Sequence, residues 1–133
     1  MYSPMNGETQ ENLVVSIIDD DPSVLRGLER LMKAHGYRVR CFTSAREMLA
    51  SGLPGEDACL LIDVAIPGMD GIQLYAELRR RGCFTPAIFI TALDDPTVRK
   101  SVNRLGAAGL FRKPVDGDEL LDAVKRVKSG VKQ

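Results

Sequence analysis

Residues 58–71 read Ala-Cys-Leu-Leu-Ile-Asp-Val-Ala-Ile-Pro-Gly-Met-Asp-Gly. The first five are apolar and the run stops at Asp63, which predicts a strand covered on both faces of a parallel sheet. The proline and glycines that follow predict a turn, and a helix is expected over 72–81. This stretch is therefore one strand–helix unit whose strand ends in a carboxylate.

The same alternation of a short apolar run and a longer amphipathic segment recurs along the chain. Strands are predicted over 13–18, 37–42, 58–62, 87–90 and 109–112, and helices over 22–35, up to 49, over 72–81, over 96–105 and up to 128. Thr43 or Ser44 can cap the second helix, with Glu47 placed for a capping box with Ser44, and Asp116 caps the fifth. Five such units imply an α/β fold with a parallel sheet, right-handed crossovers and helices on both faces.

The composition is that of one soluble globular domain. The chain has 133 residues, of which 44% are hydrophobic and 27% charged. Eighteen basic residues balance eighteen acidic ones, so bulk charge does not favour binding to nucleic acid or an anionic membrane. The domain is expected over 13–128, with a flexible tail at 1–12 and a C-terminal tail or the start of a linker at 129–133.

Location is predicted from the cysteines and from the absence of a long apolar run. Cys41, Cys59 and Cys83 are widely spaced, odd in number and form no CxxC pair, which predicts reduced thiols. No stretch approaches the ~20 apolar residues of a membrane span, and the first twelve residues lack a signal-peptide pattern. A cytoplasmic protein is expected, with no membrane partner.

Polar residues follow four of the five predicted strands. Asp19 and Asp20 follow the first, and Asp63, Thr91 and Lys113 follow the third, fourth and fifth. Because the carboxyl ends of parallel strands meet at one edge of the sheet, a single site is expected there. Taken alone, the aspartate run 19–21 is typical of a helix cap and Lys113-Pro114 of a loop; the set at successive strand ends favours a functional site.

The chemistry of this site can be argued from its groups. Three crowded carboxylates repel one another unless a cation is present, and hard oxygen ligands suit Mg²⁺. A carboxylate can act as a nucleophile and form an acyl phosphate. A lysine and a hydroxyl in the same cleft would bind a phosphoryl group, which points to magnesium-dependent phosphoryl transfer.

Four motifs carry a resemblance to a known family. They are Ile-Ile-Asp-Asp-Asp at 17–21, Leu-Leu-Ile-Asp-Val-Ala-Ile-Pro-Gly-Met-Asp-Gly at 60–71, Ile-Thr-Ala at 90–92 and Lys-Pro at 113–114. Over roughly 13–128 the chain resembles the CheY-like receiver domain of two-component response regulators. The resemblance implies a flavodoxin-like (βα)5 fold with strand order 2-1-3-4-5.

The resemblance also implies a role for each residue of the acidic cluster. Asp63 would be the phosphoacceptor, with the phosphohistidine of a sensor histidine kinase as donor. Asp20 and Asp63 would bind Mg²⁺ directly, and Asp19 would bind it through water or support it. The backbone carbonyl of Ala65 would be the remaining protein ligand.

Two further residues complete the implied machinery. Thr91 and Lys113 would bind phosphoryl oxygens, and Lys113 would pair with Asp63 when metal and phosphate are absent. The Lys113–Pro114 bond would be cis, a form that X–Pro bonds tolerate. The chain is thus expected to be a signalling switch that assists its own phosphorylation and dephosphorylation, not an enzyme.

Three positions depart from the family pattern. An aromatic switch residue is expected three places before the lysine, where this chain has Leu110; Phe111, one place later, should face the other side of the sheet. A weakened aromatic switch is expected, in which either Leu110 repacks to a smaller extent or switching relies more on the loop that follows Thr91. Neither Ala65 nor Leu93 can hydrogen-bond an attacking water, so the lifetime of the phosphorylated form should depend on steric access.

The output of the switch is expected to lie outside these residues. The segment 111–116 and the helix after it are similar to regulators whose receiver precedes a helix-turn-helix domain, which would make the output transcriptional. Nucleic acid would then be contacted only through that further domain. Alternatively, a stand-alone receiver would bind a partner, or a second copy after phosphorylation, through its fourth helix, fifth strand and fifth helix.

Three other functions are less consistent with the sequence. An aspartyl-phosphate phosphatase would use Asp-x-Asp, but the second position here is Ala65. A flavin or nucleotide module would need a glycine-rich phosphate loop, and neither GxGxxG nor GxxxxGK[ST] is present. A degenerate receiver that only docks would not need the intact set of Asp20, Asp63, Thr91 and Lys113.

Overall fold

The computed structural model describes residues 13–55 and 58–128. The tails predicted at 1–12 and 129–133 lie outside these residues. Five strands alternate with five helices along the described chain. In order they are β1 Val14–Ile18, α1 Pro22–Ala34, β2 Arg38–Phe42, α2 Ala45–Ala50, β3 Ala58–Asp63, α3 Gly71–Arg80, β4 Ala87–Thr91, α4 Pro96–Arg104, β5 Gly109–Arg112 and α5 Gly117–Lys128.

The strands form one parallel sheet in the order β2-β1-β3-β4-β5. The predicted topology is therefore confirmed. All six residues of β3 are buried, as expected for the strand at the centre of a sheet that is covered on both faces. The strand order reverses between β1 and β3, and this is where a ligand site forms in such sheets.

Two apolar clusters lie on opposite faces of the sheet. One face is covered by α2, α3 and α4, whose buried residues include Met48, Leu74 and Val102. The other is covered by α1 and α5, with Met32 and Leu120 in the core. The sheet is thus held between two layers of helices, and its carboxyl edge is left for polar residues.

Side chains at the helix starts satisfy exposed backbone N–H groups. Ser44 Oγ accepts from the Glu47 N–H (3.0 Å), but the Glu47 carboxylate accepts from the Thr43 N–H (2.7 Å), so the capping box expected with Ser44 is only half formed. A full box, not predicted from the sequence, opens α3 between Asp70 and Gln73. It satisfies two backbone N–H groups at the start of this helix.

Where element boundaries differ from the predicted ones, they differ by one residue. Leu13 and Tyr37 are buried but lie outside β1 and β2, whereas β3 and β4 each extend one residue further. Gly82 follows α3 with φ 87°, the left-handed conformation expected after a helix end. Among the described residues, none of the helices combines the length and apolarity that crossing a bilayer requires.

Candidate functional site

The carboxyl ends of the central strands bring the predicted residues to one edge. Asp63 and Thr91 are the last residues of β3 and β4, and Asp19 and Lys113 follow β1 and β5. Backbone hydrogen bonds extend the sheet beyond the strand ends: Asp19 N–H donates to Phe42 O (3.1 Å) and Lys113 N–H to Thr91 O (2.8 Å). The side chains are therefore positioned by the sheet itself.

Lys113 bridges two of the carboxylates. Its Nζ lies 3.2 Å from Asp19 Oδ2 and 3.3 Å from Asp63 Oδ2. Desolvation lowers the pKa of Lys113, but the hydrogen bond to Asp19 and the charges of Asp63 and Asp19 outweigh it, so the net shift is upward. The ammonium is thus held charged between two buried acids.

The acidic cluster carries more negative charge than Lys113 can balance. Carboxylate oxygens of Asp19, Asp20 and Asp63 lie within 4.8 Å of one another, so three acids face one ammonium. Burial raises the pKa of Asp19, the Asp21 N–H lowers it, and the charge of Asp63 raises it further. Asp19 and Asp63 are buried, whereas Asp20 is exposed and faces solvent. The arrangement suits a divalent cation that approaches from solvent.

The three aspartates at 19–21 have two roles: one caps a helix and two lie in the acidic cluster. Asp21 is the N-cap of α1 and accepts from the Ser23 N–H at 2.9 Å. Asp19 Oδ1 accepts from the Asp21 N–H, also at 2.9 Å, which orients its other oxygen toward Lys113. The cap interpretation therefore holds for Asp21, and Asp19 and Asp20 belong to the acidic cluster.

Thr91 and Ala65 complete the set of expected site residues. Thr91 is 3% exposed, and its Oγ1 accepts from the Leu93 N–H at 3.0 Å. The Ala65 N–H donates to Asp63 Oδ1 at 3.2 Å and so helps fix the carboxylate. Ala65 and Leu93 are both exposed beside the site, and neither side chain can hydrogen-bond.

Leu110 and Phe111 face opposite sides of the sheet. Leu110 packs against the cluster under α2, α3 and α4, whereas Phe111 packs against the cluster under α1 and α5. The alternation expected for neighbouring strand residues is therefore present. The aromatic ring of Phe111 lies on the wrong face to substitute for Leu110.

Gly71, predicted only as a turn residue, supports the site by allowing a close approach of two elements. A Cβ at this position would lie 2.4 Å from Asp63 O and 2.7 Å from Ile62 Cγ2. The start of α3 therefore approaches the end of β3 more closely than any side chain permits. Gly71 itself was the available signal in the sequence. The close approach of α3 to β3 could not be predicted from it, because that approach depends on tertiary packing.

The Lys113–Pro114 peptide bond is cis, as expected. Thr91 and Lys113 lie on neighbouring segments of the same edge, since Lys113 N–H donates to Thr91 O. Asp19, Asp20, Asp63, Thr91 and Lys113 are thus brought to one site, and each was predicted from the sequence.

Comparisons with known proteins agree with this geometry. The family model of the response regulator receiver domain matches residues 15–125. Nodulation protein W of Bradyrhizobium diazoefficiens is 38% identical over 117 residues, which cover 88% of this chain and 52% of that protein. The transcriptional regulatory protein FixJ of Azorhizobium caulinodans is 36% identical over 115 residues, covering 86% and 54%. The chain spans about half the length of the curated relatives it matches.

Solved structures show the same fold. The response regulator StyR superimposes with a TM-score of 0.81 at 34% identity, covering 87% of this chain and 59% of StyR. The structure of FixJ-N gives a TM-score of 0.81 at 25% identity, covering 91% and 97%.

Proposed function

Because the chain belongs to the response regulator receiver domain family, we propose that Asp63 accepts a phosphoryl group in a Mg²⁺-dependent reaction. The observation that carries the proposal is the position of Asp63, buried at the end of β3 with its carboxylate 3.3 Å from Lys113 Nζ. The Asp63 carboxylate, the Lys113 ammonium beside it and the acidic cluster all lie at the carboxyl edge of the sheet.

The residues present fit a small hard cation. Asp19, Asp20 and Asp63 supply oxygen ligands within 4.8 Å of one another, and Ala65, two residues after Asp63, would add its backbone carbonyl. Asp20 and Asp63 would bind the ion directly, and Asp19 through water or as a support. When bound, Mg²⁺ would neutralise charge on the transferring phosphoryl group.

The residues of the chain itself supply the rest of the chemistry. A lone pair of the Asp63 carboxylate forms the new oxygen–phosphorus bond as the bond from phosphorus to the donor nitrogen breaks. The leaving electron pair returns to the donor's imidazole. Lys113 and Thr91 bind the phosphoryl oxygens, through the ammonium group and the hydroxyl group, and so stabilise the charge that develops.

The proposal is tested with a small phosphodonor such as acetyl phosphate and Mg²⁺. We expect the intact mass of the wild type to rise by one phosphoryl group. No mass gain is expected in Asp63→Asn, or in the wild type when Mg²⁺ is omitted. Asp70→Asn is the matched control, because Asp70 caps α3 and asparagine also caps helices. A mass gain that survives in Asp63→Asn would overturn the assignment.

The partner and the output follow from the family. Receiver domains of response regulators work with sensor kinases, so the physiological donor is proposed to be a sensor histidine kinase. Relatives such as FixJ are transcriptional regulators about twice as long as the matched segment. The proposed output is therefore transcriptional, through a domain outside these residues.

We propose that phosphorylation changes the surface formed by α4, β5 and α5, which then controls the output domain or pairs with a second copy. Light scattering on phosphorylated and unphosphorylated protein tests the pairing. A mass that stays monomeric at every concentration after phosphorylation would remove dimerisation from the proposal.

A further inference from the structure

We propose that Asp94 is a positioning residue that orients the hydroxyl of Thr91 for phosphoryl binding. It would act by tying the segment 92–95, which connects β4 to α4, to the end of β5. The inference rests on the proposed function, since it concerns how that site binds its phosphoryl group. The inference adds an ionic network of Asp94 with two arginines, outside the five site residues.

Asp94 is the centre of a small ionic network. Its Oδ1 pairs closely with Arg99 of α4, and its Oδ2 lies 3.7 Å from Arg112 Nη1. Arg112 is the last residue of β5, is paired in register with Thr91 and directly precedes Lys113. The Asp94 carboxylate therefore links the segment after Thr91 to the end of β5, next to Lys113.

The connection from this network to Thr91 runs through one hydrogen bond. The Leu93 N–H donates to Thr91 Oγ1 at 3.0 Å, and Leu93 is the neighbour of Asp94 in the chain. The other end of the segment is fixed by Asp95, whose side chain accepts from the Thr97 N–H at 2.9 Å and caps α4. A segment held at Asp94 and Asp95 keeps the Leu93 amide in place.

This hydrogen bond determines what the Thr91 hydroxyl can do. A hydroxyl has one donor hydrogen and two acceptor lone pairs. Because the Leu93 N–H occupies a lone pair, the hydrogen of Oγ1 stays available for an acceptor such as a phosphoryl oxygen. Thr91 is 3% exposed and its Cβ is branched, so few rotamers compete once this bond is made. The Asp94 network thus prepares Thr91 as a donor.

The size of the effect follows from the exposure of the network. The side chains of Asp94, Arg99 and Arg112 are 57%, 51% and 64% exposed, so each pair is weak and sensitive to salt. A change of about two- to fivefold in phosphorylation rate is therefore expected. The proposed Mg²⁺ ligands lie at the carboxyl ends of β1 and β3, away from this network, so the Mg²⁺ affinity should not change with the phosphorylation rate.

The test compares Asp94→Asn, Arg112→Gln and the double variant with wild type, using acetyl phosphate and Mg²⁺. We expect each single variant to be phosphorylated about two- to fivefold more slowly and the double variant to be no slower than Asp94→Asn. Raising the ionic strength should slow the wild type more than Asp94→Asn. Arg80→Gln is the control, because Arg80 is an exposed arginine that pairs with Glu77 at the far end of α3, away from the site. The inference would be overturned if the single variants were phosphorylated as fast as Arg80→Gln, or if the two reductions in rate multiplied in the double variant. A loss of Mg²⁺ affinity in parallel with the loss of rate would also overturn it.

A second measurement needs no phosphorylation and so separates this inference from the proposed function. Three-bond NMR couplings of Thr91 report its side-chain rotamer in the unphosphorylated protein. We expect one rotamer in wild type and Arg80→Gln, and rotamer averaging in Asp94→Asn and Arg112→Gln. A single unchanged rotamer in both variants would show that the network does not orient Thr91, whether or not Asp63 is phosphorylated.

Discussion

Asp19 is buried against Lys113 and Asp63, and its ionised form is disfavoured in the metal-free protein. Burial is the largest cause, and the neighbouring charge of Asp63 adds to it. The fold therefore tolerates a destabilising charge at the place where a cation is proposed to bind. Individual residues of this site are expected to trade stability for function.

Replacing Asp19 with asparagine should stabilise the metal-free protein. Asparagine keeps the acceptor oxygen for the Asp21 N–H but loses the bond to Lys113, which still pairs with Asp63. Because burial outweighs these favourable contacts in setting the pKa of Asp19, removing the charge should raise the unfolding free energy in EDTA by about 0.5–2 kcal/mol at neutral pH. Urea titration measures this change. An unfolding free energy that is lower in Asp19→Asn than in wild type would contradict it.

The gain from Asp19→Asn should depend on pH. The folded wild type holds the Asp19 proton more tightly than the unfolded chain, whose pKa is near 3.8. The stabilisation from this tighter binding is present below pH 3.8 and is lost as pH rises through the raised pKa. The difference in unfolding free energy between Asp19→Asn and wild type should therefore be largest above the raised pKa and shrink as pH falls toward 3.8. A difference that does not change with pH would exclude Asp19 as its source.

Gly71 should not tolerate even a methyl group. In Gly71→Ala the new Cβ would meet Asp63 O at 2.4 Å, so we expect the variant to lose about 1–3 kcal/mol of unfolding free energy and to be phosphorylated more slowly. Gly27→Ala is the control, because nothing lies within 4 Å of its Cβ inside α1 and alanine favours the helix. We expect the control to gain about 0.5–1 kcal/mol; equal stabilities for the two variants would contradict the close approach.

The residue at position 65 should set how fast the phosphorylated form decays. Ala65 is exposed two residues after Asp63 and offers no side-chain hydrogen bond to an attacking water. We expect Ala65→Asn to change the rate of dephosphorylation several-fold, measured by the loss of the added mass over time. Ala108→Asn, at an exposed position before β5 and remote from the site, serves as the control. A rate unchanged in Ala65→Asn would count against the steric account.

Strands and helices were predictable where one physical signal dominates. The apolar run 58–62 is too short for a helix and so predicts a buried strand, and Pro96 marks the start of the fourth helix. The capping box between Asp70 and Gln73 was not predicted, because Gly68 and Gly71 suggested a turn that continued to residue 71. The partner of Glu47 was also misjudged, since backbone geometry decides whether a carboxylate reaches residue 43 or 44.

The central and edge strands should differ in thiol reactivity. Cys59 in β3 is fully buried, and burial raises its pKa to about 12, whereas Cys41 in the edge strand β2 is half-buried. A thiol reagent should therefore label Cys41 first in the folded protein and Cys59 only after unfolding. Cys41→Ser is the control for the first phase, and rapid labelling that survives in this variant would contradict the assignment.

At the scale of the whole molecule, the sheet order converts scattered residues into one site. The sequence allowed the site to be located because strand ends of a parallel sheet meet at one edge. Asp19 and Lys113 directly follow β1 and β5, and Asp63 is the last residue of β3. It did not reveal the pair between Asp94 and Arg112, because no pattern in the sequence links these two positions and their approach depends on how β4 and β5 align. A contact between a side chain of the 92–95 connection and one at the end of β5 requires the assembled fold.

Metal binding should stabilise the whole domain through this edge. A ligand that binds only the folded state adds about 2.7 kcal/mol when its concentration is one hundred times its dissociation constant. We expect Mg²⁺ to raise the melting temperature of wild type in calorimetry, and Asp20→Asn to lose most of this rise because it removes an exposed carboxylate of the acidic cluster.

Asp21→Asn separates the metal site from the helix cap beside it. Asp21 caps α1 through the Ser23 N–H and asparagine caps equally well, so this variant should keep the full response to Mg²⁺. Loss of the response in both variants would mean that Mg²⁺ acts through the charge of the whole aspartate run. Loss in Asp20→Asn alone would tie the stability of the domain to one ligand of the proposed site, as expected if the ion binds at the carboxyl edge of the sheet.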